Sequence, residues 1–328
     1  MIPPRDPQAG FRAHADAWDC PGTRGEALNP ACSSVSRATM ERLVVRENAV
    51  CRWVAYLGSP IAPKELLHDP ERSLIEQSRR HAPNMALPNG DGTGLGWYDR
   101  RDEPALFRSI VPAWGDENLL ELAAEIRSPL FLAHVRAGTG TPVQQTNCHP
   151  FRYRNWLFVH NGYVADYEVL RRELLLAVRP DLFTNVEGST DSELLFHLAL
   201  TFGLAEDPIA GLALMAGFVE TAAAAAGVTD PALQMTVGVS DGTRLYAARY
   251  ASGTEVNTLF VSEDVASLRM LYPEDERFAH FSDGARAVVS EPLIDLPGMW
   301  REIPAGTALV IGDDIQERSF QPISPTSA

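Results

Sequence analysis

The sequence is poor in positive charge. It contains 28 Lys and Arg residues against 43 Asp and Glu residues, and its formal net charge is −15. A surface for nucleic acid or for an anionic membrane needs clustered Lys and Arg to neutralise phosphates, so we expect neither partner. With 328 residues and 45% hydrophobic side chains, the chain can bury a sizeable core in one large domain or two ordinary ones.

Cysteine is also scarce, and its spacing excludes the common zinc sites. The four cysteines are Cys20, Cys32, Cys51 and Cys148. They form no CxxC pair and no His–Cys series of the kind that holds structural zinc. We therefore expect no metal site and no other cofactor.

No segment has the pattern of a targeting signal or of a membrane span. Met1–Pro7 holds two adjacent prolines and charged residues where a signal peptide needs an apolar run. The most apolar stretch, Leu212–Gly227, is interrupted by Glu220 and is shorter than the roughly 20 residues that cross a bilayer. These features predict a cytoplasmic protein with reduced thiols.

Two catalytic motifs are missing as well, and a third is present only as a spacing. The sequence has no GxxxxGK phosphate loop and no HExxH zinc-protease motif, and its GxSxG match at Gly238–Gly242 lies in a predicted hairpin instead of the strand-to-helix turn of a hydrolase elbow. The segment Gly90–Gly96 is rich in glycine, but its glycines are spaced by two and it runs into a strand pattern rather than a helix. Its composition favours a turned loop over a dinucleotide-binding loop.

Strand and helix patterns mix irregularly from Cys51 onward. Apolar and β-branched runs predict strands or hairpins at Cys51–Leu57 (ended by a turn at Gly58–Pro60), Leu95–Tyr98 with Ala105–Ile110, Leu130–Arg136, Trp156–His160, Gln234–Tyr250, Thr258–Ser262, Ala287–Ser290 and Thr307–Ile311. Helices are predicted after Asp116, around Leu170–Val178, and from a capping box at Thr190–Glu193 towards Gly203. Hairpins at both ends with helices between them favour antiparallel sheet covered by helices.

Residues 1–49 differ in texture from the rest. Ile2–Ser36 is rich in Pro, Gly, Ala, Ser and Arg and shows neither helical nor strand periodicity. We interpret residues 1–50 as a disordered leader, a propeptide or sequence upstream of the real start.

Four groups of reactive or charged residues follow residue 50, and each has an ordinary structural explanation when taken alone. They are Cys51, His134-Val135-Arg136 with Thr139, His149-Pro150-Phe151 with the later His160-Asn161-Gly162, and Thr190-Asp191-Ser192-Glu193. Cysteine before a strand is usually a small core residue, Asn-Gly after a strand is usually a turn, and Thr-Asp-Ser-Glu starts a helix well. An Arg at a strand end is less ordinary, because its planar fork of donors usually holds a carboxylate there.

Together and in this order, these segments resemble the glutaminase domain of class II glutamine amidotransferases, an N-terminal-nucleophile family. The resemblance covers roughly residues 51–205. It implies an α+β fold, a four-layer αββα sandwich of two antiparallel sheets between helices. It also implies one glutamine amidotransferase domain over residues 51–320, followed by a tail at 321–328.

The resemblance also implies a role for each of the quoted residues. Cys51 would be the nucleophile, with its own α-amine as the base, and Asn161 and Gly162 would stabilise the oxyanion. Arg136 and Thr139 would hold the substrate α-carboxylate, and Asp191 would hold the α-ammonium group. His134, His149 and His160 would be positional.

Within that family, the sequence is most similar to small stand-alone members. The segments Cys51–Gly58, Asp91–Tyr98 and Val289–Leu293 resemble the γ-glutamyl hydrolases of ergothioneine biosynthesis and the glutathione-degrading relatives. This implies hydrolysis of a γ-glutamyl amide, either glutamine or a γ-glutamyl-cysteine-type compound, through a γ-glutamyl thioester that releases glutamate. Two alternatives remain open: a glutaminase subunit that delivers ammonia to a separate synthase subunit, and a non-catalytic protein that binds γ-glutamyl ligands. Assembly into a homo-oligomer also stays open.

The chain departs from the family pattern at the nucleophile. Cys51 follows Val50 instead of the initiator Met, so its α-amine is free only if the preceding residues are absent from the mature protein. Either Val50 is read from a GTG start codon, which the Arg-rich and Lys-poor composition of a GC-rich gene favours, or residues 1–50 are a propeptide. The non-catalytic alternative applies if the leader is retained.

Overall fold

Two antiparallel β-sheets form the centre of the computed structural model, which describes residues 51–79, 89–138 and 141–325. The strands are β1 (Arg52–Ile61), β2 (Thr93–Trp97), β3 (Ala105–Ser109), β4 (Ser128–Val135), β5 (Phe151–Tyr153), β6 (Trp156–Val164), β7 (Leu233–Ser240), β8 (Leu245–Ala251), β9 (Phe260–Ser262), β10 (Arg286–Val289), β11 (Trp300–Glu302), β12 (Thr307–Ile311) and β13 (Ile315–Ser319). The first sheet has the order β11-β9-β10-β1-β4-β2-β3, and the second has the order β13-β12-β8-β7-β6-β5.

Helices cover the outer face of each sheet. They are α1 (Lys64–Leu67), α2 (Leu74–Arg79), α3 (Glu117–Glu125), α4 (Tyr167–Ala177), α5 (Pro180–Phe183), α6 (Asp191–Thr201), α7 (Pro208–Ala225) and α8 (Val265–Leu271). Side chains of α4 to α7 share an apolar core with the second sheet, and side chains of α1, α2, α3 and α8 share one with the first sheet. A third apolar core fills the space between the sheets. The order of layers is therefore helix, sheet, sheet, helix, as expected.

Strand β1 shows why both faces of the first sheet are buried. Trp53 and Ala55 point into the core between the sheets, whereas Val54 and Tyr56 point into the core beneath the helices. All four are at most 1% exposed. A strand buried on both faces is continuously apolar instead of alternating, which is the pattern that Trp53–Leu57 has in the sequence.

Helix α6 starts where the sequence predicts, but its capping box is only half formed. The Thr190 hydroxyl accepts a hydrogen bond from Glu193 N at 3.3 Å. The Glu193 carboxylate does not return to the cap; it accepts from Glu187 N at 3.0 Å and Gly188 N at 2.6 Å. Glu193 therefore holds the segment before the helix, and burial raises the pKa of its carboxyl group.

Helix α7 corrects the expectation that its apolar stretch is too short to cross a membrane. It begins at Pro208, four residues before the run seen in the sequence, and its 18 residues are long and apolar enough by length and composition alone. In the structure, however, Leu212, Met215 and Val219 are buried in the core against the second sheet. This packing is that of a core helix.

One local prediction is wrong, and one ordinary explanation does not apply. The turn expected at Gly58–Pro60 is a bulged continuation of β1, whose register on β4 shifts between Leu57 and Ile61. Asn161-Gly162 is not a turn after a strand either, because β6 continues through both residues to Val164 and pairs with β7 along its whole length. In both places, pairing with a neighbouring strand overrides the local preference of Gly, Pro and Asn for turns.

The core between α6 and the second sheet should dominate stability. Leu195 is 0% exposed, so Leu195→Ala should lower the free energy of unfolding by about 2–5 kcal/mol through lost burial and a residual cavity. Leu176→Ala is the control, since Leu176 on α4 is 63% exposed and should change stability by no more than about 0.5 kcal/mol. Urea unfolding followed by circular dichroism measures both, and equal effects would contradict this packing.

Candidate active site

Cys51 lies at the start of β1, next to the chain that leaves β4. Its Sγ accepts a hydrogen bond from Ala137 N at 3.3 Å and lies 3.5 Å from Ala137 O. Burial raises the pKa of the Cys51 thiol, and the Ala137 hydrogen bond and the positive charges of Arg136 and Arg52 only partly oppose this effect. The thiol is thus predominantly protonated near neutral pH, and its use as a nucleophile calls for a base.

Hydrogen bonds between the two sheets link the start of β1 to β7 and, through β7, to β6. The Trp53 indole Nε1 donates to Thr236 Oγ1 at 3.2 Å. Thr236 lies opposite Asn161 in the register of β6 on β7, and its hydroxyl donates to Asn161 O at 3.4 Å. These contacts link the backbone of Asn161 to Trp53, which is two residues after Cys51 in β1.

Asn161 carries a buried amide donor without a protein partner. The residue is 2% exposed, and its Oδ1 accepts a hydrogen bond from Asn257 Nδ2 at 3.1 Å. Its Nδ2 has no partner within the described residues. A buried N–H group without an acceptor is costly, so this atom is suited to receive an oxygen from a bound molecule. Next to it, a side chain at Gly162 would overlap the carbonyl oxygen of Gln234, which explains why glycine is required.

Arg136 is a buried cation that forms no ion pair with any carboxylate in the described ranges. It is 3% exposed, and its guanidinium donates to Asp91 O at 3.3 Å, to Thr141 O at 3.4 Å and to the Thr141 hydroxyl. A buried charge normally requires a counter-charge, so this site favours an anionic ligand. Thr139, predicted to assist Arg136, lies outside the described residues, whereas the hydroxyl contact comes from Thr141.

Asp191 supplies the opposite charge. It is the first residue of α6, where its Oδ2 accepts a hydrogen bond from Val164 N at 2.9 Å and its Oδ1 accepts one from Ser192 N at 2.7 Å. Its negative charge contributes to the raised pKa of the Cys51 thiol, which places it within electrostatic reach of that group. The thiol thus lies in the field of a cation and an anion on different elements.

Asn147 joins the loop after Arg136 to the segment before Asp191. Its side chain is fully buried, with Nδ2 donating to Pro142 O at 2.9 Å and Oδ1 accepting from Ser189 N at 2.8 Å. The positions of the two charged groups are therefore coupled through one amide. Sequence reasoning missed Asn147, although its place two residues before His149 was a usable signal.

The three histidines are buried and have no hydrogen bond to the thiol. His134 and His149 stack with ring centroids 4.0 Å apart, and His134 Nε2 contacts His160 O at 3.2 Å. His160 Nδ1 contacts Ser192 Oγ at 2.8 Å. Burial lowers the pKa of His134 to about 3 and also lowers the pKa values of His149 and His160. Neutral, enclosed imidazoles of this kind support the predicted positional role.

No group of three His, Cys, Asp or Glu side chains that could hold a metal ion occurs in the parts of the chain that the structure describes. The chemistry available at the site is therefore that of a thiol, an amide donor and two charged side chains of opposite sign. This set suits an acyl-transfer reaction on a substrate with an amino-acid head group.

The family model described as glutamine amidotransferases class-II matches residues 77–313. This chain belongs to that family. The match begins beyond Cys51, so the assignment of the family does not rest on the cysteine. The resemblance read from the sequence, the enzyme class and the αββα fold of N-terminal-nucleophile hydrolases are thereby confirmed.

Curated relatives and a solved structure agree with this assignment. The chain is 31% identical to the probable glutamine amidotransferase DUG3 of Saccharomyces cerevisiae over 80% of this chain and 82% of the relative. It is 32% identical to the gamma-glutamyl-hercynylcysteine sulfoxide hydrolase of Mycolicibacterium smegmatis over 78% of this chain and 92% of the relative. It also resembles the structure of a glutamine aminotransferase class-II domain protein from Silicibacter pomeroyi, with 34% identity and a TM-score of 0.61 over 83% of this chain and all of the other.

The buried histidines should make the stability of this family member depend on pH. Above about pH 6.5 these histidines are neutral in both the folded and the unfolded chain. Below that pH they bind protons in the unfolded chain but stay neutral in the folded chain, down to about pH 3 for His134. Stability should therefore fall as the pH drops below 6.5, by about 1.4 kcal/mol per pH unit for each such histidine.

His149→Phe tests this dependence, because it removes one titrating group while keeping a ring on His134. Urea unfolding at pH 7.5, 6.0 and 5.0 should show a shallower loss of stability for the variant than for the parent protein. Leu176→Ala, which changes no titrating group, should keep the parent slope. An unchanged slope in His149→Phe would mean that His149 is protonated equally in both states.

Proposed function

We propose that the protein hydrolyses γ-glutamyl amides by means of the Cys51 thiol. One observation carries the proposal: the Cys51 thiol accepts a hydrogen bond from Ala137 N, directly after Arg136, a buried cation with no carboxylate partner among the described residues and therefore suited to the α-carboxylate of a glutamyl substrate. The charge of Asp191 suits the α-ammonium group of the same substrate. The unpartnered Nδ2 of Asn161 adds a donor for the γ-carbonyl oxygen.

The reaction proceeds in two acyl transfers. The Cys51 sulfur attacks the γ-carbonyl carbon while the thiol proton passes to the Cys51 α-amine. The oxyanion of the tetrahedral intermediate accepts hydrogen bonds from Asn161 Nδ2 and Gly162 N–H, each worth on the order of 3 kcal/mol in comparable sites. The C–N bond then breaks, the leaving amine takes the proton, and a γ-glutamyl thioester remains. Water hydrolyses the thioester, which releases glutamate and restores the thiol.

The α-amine of Cys51 is the base that the site requires. An α-amine has a pKa of about 7.7–8.0, close to the operating pH. Burial, in contrast, lowers the pKa values of the three histidines and keeps them neutral, and none of them hydrogen-bonds the sulfur. This assignment requires Cys51 to be the first residue of the active chain. A start at Val50 with removal of the initiator Met, or cleavage of a propeptide covering residues 1–50, would satisfy it.

The substrate class follows from the relatives. One is described as a gamma-glutamyl-hercynylcysteine sulfoxide hydrolase and another as a probable glutamine amidotransferase. We propose that the γ-glutamyl half is held by Arg136, Asp191 and Thr139, and that the leaving group is ammonia or the amine of a cysteine-type compound. Glutamine and γ-glutamylcysteine are therefore the substrates to compare.

Cys51 and Cys148 provide a matched pair of variants. Cys51→Ala should abolish the release of glutamate from both substrates, because the nucleophile is lost. Cys148→Ala should retain activity within about three-fold, because the buried Cys148 thiol hydrogen-bonds backbone groups, among them the carbonyl oxygens of Ser109 and Gln144. Coupled assay of glutamate measures both, and the intact mass of the active protein should begin at Cys51. Turnover by Cys51→Ala, or by protein that retains residues 1–50, would contradict the mechanism.

Arg136→Met tests recognition of the α-carboxylate. Removing one partner of a buried charge pair costs about 2–5 kcal/mol, so kcat/KM for glutamine should fall at least about 30-fold. The parent protein should turn over 4-aminobutanamide, which is glutamine without its α-carboxylate, only slowly. Arg136→Met should not lower that turnover further. Arg152→Met is the control, since Arg152 is exposed and its guanidinium donates to Pro104 O. An equal loss on both substrates would indicate general damage to the site instead.

A further inference from the structure

The side-chain amide of Asn161 can stabilise an oxyanion in only one of its two orientations. A half rotation about the last side-chain bond exchanges the positions of Oδ1 and Nδ2. If Oδ1 faced the substrate, it would repel the negative charge that develops on the oxyanion. The structure contains one contact that distinguishes the two orientations: Asn257 Nδ2 donates to Asn161 Oδ1 at 3.1 Å. A donor at that point favours the orientation in which Asn161 Nδ2 is left unpartnered.

Asn257 is itself held from the opposite side. It lies between β8 and β9, and its carbonyl oxygen accepts a hydrogen bond from Arg249 Nε at 2.8 Å. Arg249 is 8% exposed, and its Nη1 donates to Glu302 Oε1 at 2.7 Å and to Ile303 O at 2.5 Å. A buried, ion-paired guanidinium thus anchors the backbone of a residue that would otherwise lie in a free connection.

We infer that Asn257 is a positioning residue for the oxyanion donor. It fixes the Asn161 amide with its oxygen turned towards Asn257 and its nitrogen turned towards the reacting carbonyl, and Arg249 holds the backbone of Asn257. This inference rests on the proposed function, in which Asn161 Nδ2 receives the oxyanion. It assigns to a residue 96 positions away in sequence a part in the same reaction step.

Two substitutions of Asn257 separate positioning from simple packing. An ionised Asp has the shape of Asn but only accepts hydrogen bonds, so Asn257→Asp should rotate the Asn161 amide and turn its oxygen towards the substrate. We expect kcat for glutamate release to fall about 100-fold, the loss typical of a missing oxyanion donor, with KM changed less than three-fold. Asn257→Ala only releases the amide and should lower kcat about ten-fold. A structural role predicts the opposite order, with melting temperatures that follow activity.

The control and the double variant complete the kinetic test. Asn155→Asp is a matched control, because the Asn155 amide contacts Asp241 O in the β7–β8 turn and should leave kcat unchanged. In an Asn161→Ala background, Asn257→Asp should add less than a two-fold loss, since the group it positions is gone. Independent losses in the double variant, or an Asn257→Asp enzyme within two-fold of the parent, would overturn the inference.

A spectroscopic readout keeps the inference testable if the protein does not hydrolyse either substrate. The side-chain amide signals of Asn161 can be assigned in a ¹⁵N-resolved NMR spectrum of the full chain by their loss in Asn161→Ala. Asn257→Asp should shift them, because a carboxylate then accepts from Nδ2, and Asn155→Asp should not. Shifted signals without turnover would contradict the proposed function but support the positioning of Asn161 by Asn257. Unshifted signals would contradict only that positioning.

Discussion

The hydrogen bond between the Trp53 indole and the Thr236 hydroxyl joins the two sheets beside the site, and the geometry of the site depends on it. Trp53 is fully buried and approaches β7 at Gly238, where a side chain would overlap the indole ring. The same hydroxyl contacts the backbone of Asn161. One hydroxyl group therefore connects the strand that begins after Cys51 to the backbone of the proposed amide donor.

Around this junction the protein leaves specific polar groups without partners instead of pairing all of them. The Nδ2 of Asn161 has no acceptor, and Arg136 has no carboxylate partner among the described residues. The nearby buried side chains of Asn147 and Arg249 are, by contrast, satisfied on several sides. The contrast marks Asn161 and Arg136 as groups suited to a ligand.

The sequence predicts those parts of the fold and site that local patterns determine. The Asp116 cap, the β7–β8 hairpin and the start of α6 at Thr190 follow from residues close together in the chain. The three-residue strands β5 and β11 are too short to leave a pattern, and the bulge of β1 depends on its partner β4. The role of Asn257 could not be predicted, because its only link to Asn161 is a contact across the folded chain. The motif order of the family predicts Arg136, Asn161 and Asp191 as site residues, which composition alone does not.

The amide of Asn147 hydrogen-bonds Pro142, after Arg136, and Ser189, before Asp191, so the two charged groups belong to one hydrogen-bonded unit. In the proposed function, a glutamyl substrate meets this unit with its carboxylate and its ammonium group while Asn161 receives its γ-carbonyl oxygen. Three attachment points held at fixed relative positions define a handedness around the α-carbon. The site would then accept one enantiomer of glutamine, because the mirror image cannot satisfy all three points at once.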